Sequence, residues 1–114
     1  MEQTRKFMLI FRYELPQSEP TQEEIAEMES QWCQYFGMLG EKQKLVSSEQ
    51  LGFESKTISS SGEVKDDFVM TDGQALSGYV IVQAGNIDEA VELGQSSPIL
   101  KAGGTVEVRD IPMD

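Results

Sequence analysis

A chain of 114 residues suffices for one domain with a modest hydrophobic core, and 39% hydrophobic with 25% charged residues is the make-up of an ordinary globular protein. Twenty acidic residues against nine basic ones leave a net charge of −11, a field that repels a phosphate backbone or an anionic membrane, and no clustered Lys/Arg stripe overcomes it. The chain has no histidine and one cysteine, Cys33, which excludes Ser-His-Asp and Cys-His nucleophile systems, His-ligated metals, thiolate clusters and an internal disulfide.

No phosphate-binding glycine loop is present. The apolar run at residues 7–11 is too short for a membrane span and lacks the cleavage pattern of a signal peptide. The expectation is a cytoplasmic protein without metal or cofactor, whose partners include neither nucleic acid nor membrane. Any chemistry would rest on carboxylates, Tyr, Lys or Arg.

Residues 6–13 read as a strand, with Phe7, Leu9, Phe11 and Tyr13 on one face and Met8, Ile10 and Arg12 on the other. Both faces are largely apolar, which predicts a central strand covered on both sides. Thr21 stands three residues before Glu24, the spacing of a capping box, and opens a helix. Ile25, Met28, Trp32, Tyr35 or Phe36, and Leu39 form its apolar stripe, and Gly40 is a plausible stop. Between residues 44 and 70, short strands at 44–47, 56–59 and 68–70 are separated by Leu51-Gly52 and by a Ser59-Ser60-Ser61-Gly62 turn, and residues 63–67 read as polar and exposed.

A clear strand covers residues 79–84, with Val80 and Val82 on one face and Tyr79 and Ile81 on the other. Asn86 caps a shorter helix that directs Ile87, Ala90, Val91 and Leu93 to the core and ends at Ser96-Ser97-Pro98. After a Gly103-Gly104 turn, residues 105–111 form the last strand, with Val106 and Val108 inward and Glu107 and Arg109 opposite. No repeat or linker divides residues 1–114, which read as one domain.

The resulting order, βαββαβ, is that of a ferredoxin-like α+β sandwich, with two helices on one face of an antiparallel sheet. Apolar side chains on the second face require a cover. The simplest is a second copy of the chain, which predicts a homodimer.

The run Lys6-Phe7-Met8-Leu9-Ile10-Phe11-Arg12 resembles the opening strand of YCII-related (DGPF-type) proteins. Further pieces follow in that family's order: Leu51-Gly52-Phe53-Glu54, Thr71-Asp72-Gly73, Gly78-Tyr79, Asp88-Glu89-Ala90-Val91, Gly103-Gly104 and Val106-Glu107-Val108-Arg109. The resemblance implies a dimeric α-β barrel with a cleft between sheet and helices. In some members it also implies a catalytic His/Asp pair, and in one branch dehydrochlorination. Here the family's Asp-Gly-Pro-Phe/Tyr motif reads Asp72-Gly73-Gln74-Ala75, and no histidine exists to complete the pair.

Asp72 is the candidate catalytic carboxylate, a general base if burial raised its pKa. Asp72-Gly73 is also a good turn, and turn chemistry is the stronger of the two readings. Arg12 and Arg109 lie on neighbouring strands. They suit a carboxylate or phenolate ligand if both face a cleft, and otherwise a cross-strand ion pair with Glu107 or Asp110. Trp32, Tyr79 and Gly73 complete the candidate pocket lining, with core packing the plainer role for the two aromatics. Three functions are consistent with this set: a dimer binding a small aromatic or anionic molecule, a lyase- or dehalogenase-like enzyme using Asp72, and a non-catalytic structural or regulatory protein.

Overall fold

Two long strands made far apart in the chain lie side by side at the centre of the sheet. In the computed structural model, residues 4–14, 18–52, 54–67 and 69–112 are described. Strand β1 (Arg5–Glu14) pairs antiparallel with β6 (Gln74–Ala84) on one side and with β7 (Thr105–Ile111) on the other, while β2 (Leu45–Gln50) flanks β6. The path β2-β6-β1-β7 is the ferredoxin-like order, and short β5 (Met70–Thr71) adds a fifth strand on β6. Helices α1 (Gln22–Glu41) and α2 (Ile87–Gln95) supply the helical layer, followed by a 3-10 turn at Pro98–Leu100. The expected α+β architecture is therefore present.

Period-two alternation decides which side chains meet the helices. Phe7, Leu9 and Phe11 of β1 and Val80, Val82 and Ala84 of β6 are buried, together with Tyr35 and Leu39 of α1, Ala90 and Leu93 of α2, and Ile99. Each large member stabilises the fold by roughly 1.5–3 kcal/mol through burial. The core is thus the space between sheet and helices.

Both helix starts follow the sequence. The Thr21 hydroxyl accepts from the Glu24 amide at 3.1 Å and the Thr21 amide donates to Glu24 Oε1 at 3.3 Å, a complete capping box. Asn86 accepts from the Glu89 amide at 2.9 Å. Helix α1 runs one residue beyond Gly40 and ends in a Schellman motif. The Lys44 amide reaches the Leu39 carbonyl and the Gln43 amide the Gly40 carbonyl, with Gln43 in the left-handed region at φ 58°.

The apolar stripe of α1 is only half used. Trp32, Tyr35, Phe36 and Leu39 pack on the core, but Ile25 and Met28 remain 41% and 46% exposed. In α2, Ala90, Leu93 and Gly94 face the sheet, while Ile87 and Val91 are exposed at its flank. The sequence expectation placed all four of these helix residues inward.

The region after β2 also differs from expectation. Strand β2 extends to Gln50. Strand β3 (Thr57–Ile58) falls within the short strand expected at 56–59, and it pairs in a separate ladder with β4 (Val64–Lys65), which lies where an exposed polar stretch is expected. Phe68, part of the expected strand at 68–70, lies outside the described residues.

Candidate functional site

Among the described residues, no second layer covers the side of the sheet away from the helices. The molecule measures 48 × 43 × 20 Å, the thickness of one sheet and one helix layer. Register puts Tyr79 of β6 beside Ile10 of β1, and Ile10 beside Glu107 of β7. The next row holds Ile81, Met8 and Arg109. Met8, Ile10, Tyr79 and Ile81 are partly buried and form an apolar strip, with the partly buried Glu107 and the exposed Arg109 along its β7 side.

Glu107 joins the two candidate arginines. Its Oε1 accepts from Arg12 Nη1 at 2.7 Å and its Oε2 from Arg109 Nη1 at 3.2 Å. These hydrogen bonds, Arg12's first, hold the Glu107 carboxyl below the usual carboxylate range. Arg12 is the better sheltered arginine, its side chain 25% exposed against 68% for Arg109. The cluster can offer guanidinium N–H groups to an anion beside an aromatic ring and aliphatic floor.

Arg12, Arg109 and Tyr79 therefore share one face. Trp32 does not join them. It lies on the helix side, edge-on to Phe11 with ring centroids 5.3 Å apart, and also against Tyr35 and Phe36 at 5.8 Å. The expected pocket between sheet and helices would have required Arg12 to point with Phe11, and strand alternation forbids that.

Asp72 and Gly73 occupy a third place, the two-residue turn between β5 and β6. Their φ angles of 51° and 77° are both positive, and Thr71 pairs with Gln74 across them. Such a type I′ hairpin turn favours Asp-Gly because glycine adopts this conformation without strain and Asp tolerates it. Asp72 is exposed, and the described residues place no ion pair or hydrogen bond on its carboxylate. Across the β1–β6 bulge, Leu76 stands opposite Arg12. It also lines an open groove of about 330 Å³ with Leu51, Glu54, Thr57 and Val69. Sequence reading missed this groove, since its walls come from segments joined only by the fold.

Other ionisable groups serve the scaffold. The Glu89 carboxylate receives Lys44 Nζ at 2.6 Å and the Gly85 amide at 2.9 Å, and these bonds hold its pKa down. Tyr35 is pushed up to about 12 by burial, and its hydroxyl donates to the Leu93 carbonyl at 2.8 Å. Among the described residues no group of three His, Cys, Asp or Glu could hold a metal ion, and no helix is long and apolar enough to cross a membrane.

The family model of the YCII-related domain matches residues 6–113, nearly the whole chain. None of the curated proteins matches it.

Proposed function

Because the chain belongs to the YCII-related family, we propose that it is a cytoplasmic homodimer, paired through the outer sheet face, that binds a small aromatic or anionic molecule beside Arg12 and Arg109. The observation that carries this reading is the uncovered strip of Met8, Ile10, Tyr79 and Ile81, bordered by the Arg12–Glu107–Arg109 cluster. A second copy laid on that strip would remove apolar surface from water. It would also raise the strength of the arginine contacts by lowering the local dielectric. An exposed, unpaired Cys33 suits a reducing compartment. Asp72 stands on an exposed turn rather than on this face, so the binding reading does not depend on it.

The test is a thermal-shift screen against phenols and small carboxylates, since a ligand of the native state raises Tm. A hit should lose most of its shift in Arg12→Met, and Arg109→Met should weaken it less. A hit whose shift survives both substitutions would move the site elsewhere. A monomer of 12.7 kDa at all micromolar concentrations would remove the dimer.

A further inference from the structure

Between β2 and β5 the chain leaves the sheet as an arm. It forms its own ladder, in which Ile58 faces Val64 directly, and it is tied internally by the Thr57 hydroxyl on the Asp67 carbonyl and by the Lys56–Asp66 ion pair. Among the described residues its apolar side chains stay largely open to solvent: Ile58 is 70% exposed, Val64 53% and Val69 67%. A two-stranded ladder of this length is not stable in water by itself and needs something to pack on. The arm also meets the outer face, because Leu76 belongs both to the groove and to the row that holds Arg12.

The size of that face bears on what the arm meets. Four strands make a face about 19 Å wide, and the seven residues of β1 paired with β7 make its four-stranded part about 24 Å long. Two such faces in contact enclose roughly 900 Å², short of the roughly 1,200–2,000 Å² of a stable interface. Resting on the homodimer reading above, we propose that the arm is the second half of the dimer interface. Ile58, Val64 and Val69 of each copy pack against the other copy and supply the area the sheet lacks.

Sedimentation equilibrium on the full chain tests this. Three proteins are compared: wild type, the arm variant Ile58→Ser/Val64→Ser/Val69→Ser, and the sheet variant Ile81→Arg. The arm residues are exposed in the monomer, so the arm variant should fold, with the circular dichroism of the wild type. The expected result is a wild-type dimer whose dissociation constant rises at least tenfold in the arm variant. An unchanged constant in the arm variant, with dissociation in Ile81→Arg, would overturn the arm's role and leave the sheet dimer standing. Weakening by the arm variant with none from Ile81→Arg would support the arm and refute the sheet face. A wild-type monomer throughout would overturn both. As an independent measure, amide exchange at Ile58, Val64 and Val69 should slow as concentration rises, and exchange independent of concentration would count against the arm.

Discussion

Single atoms decide several contacts that composition only hints at. The Tyr35 hydroxyl satisfies the carbonyl of Leu93, one of the last carbonyls of α2, which a helix end leaves without an internal partner. Tyr35→Phe keeps the ring packing and strands that carbonyl, so denaturant unfolding should report a loss of about 1–2 kcal/mol. At Gly104 the constraint is space. A Cβ built there would lie 2.4 Å from the Arg12 carbonyl oxygen and 2.6 Å from Ile99 Cγ1. Gly104→Ala must therefore push β1 from the loop, and it should cost about 3 kcal/mol or more by the same measurement. That displacement would also disturb Arg12, so ligand response should fall with stability.

At the scale of elements, two turns carry left-handed residues, and they respond oppositely to substitution. Gln43 closes the Schellman motif of α1 with a side chain where glycine is favoured. Gln43→Gly should raise stability by about 0.5 kcal/mol, the relief of strain exceeding the added freedom of the unfolded chain. Asp72 in its type I′ turn already has a suitable residue. Asp72→Asn should change stability by less than about 0.5 kcal/mol, since Asn-Gly is the favoured pair for this turn, and thermal melts check both. Caps, turns and strand faces were legible because their signals are local: Thr21 with Glu24, Asp72-Gly73, and the alternation that sets Arg12 and Arg109 opposite Phe11. Ile25 and Met28 misled because helical periodicity shows which side of a helix is apolar and not how much of that side another element covers. Of the arm, the strand at 56–59 and the Ser59-Ser60-Ser61-Gly62 turn were legible, and the return strand β4 was missed for a related reason. Strands two residues long carry no period, and Val64 among charged neighbours reads as a loop.

For the whole molecule, charge and pH offer a test that needs no ligand. Glu89 and Glu107 titrate below their ordinary value of 4.5 in the folded chain. The unfolded chain then binds more protons in this range, and stability falls as pH drops. The contribution is complete above about pH 5 and is lost as the solution passes below the folded-state values. Tm should decline between about pH 5 and pH 3 in the wild type and less steeply in Glu89→Gln. Equal slopes would show that the Lys44 and Gly85 contacts do not persist in solution.

The pairing of β1 with β6 and β7 has a consequence for the making of the protein. A ribosome releases Phe7, Leu9 and Phe11 first, yet both strands that flank them come from beyond residue 73. The nascent chain thus carries an unpaired, apolar strand until β6 and β7 have been made. Its nucleus depends on contacts distant in sequence, which slows folding. Until β7 emerges, that strand is a template for any other extended chain nearby. Release and folding are thereby coupled: a ribosome stalled before residue 105 should hold a chain that engages chaperones, and one stalled with β7 fully exposed should not.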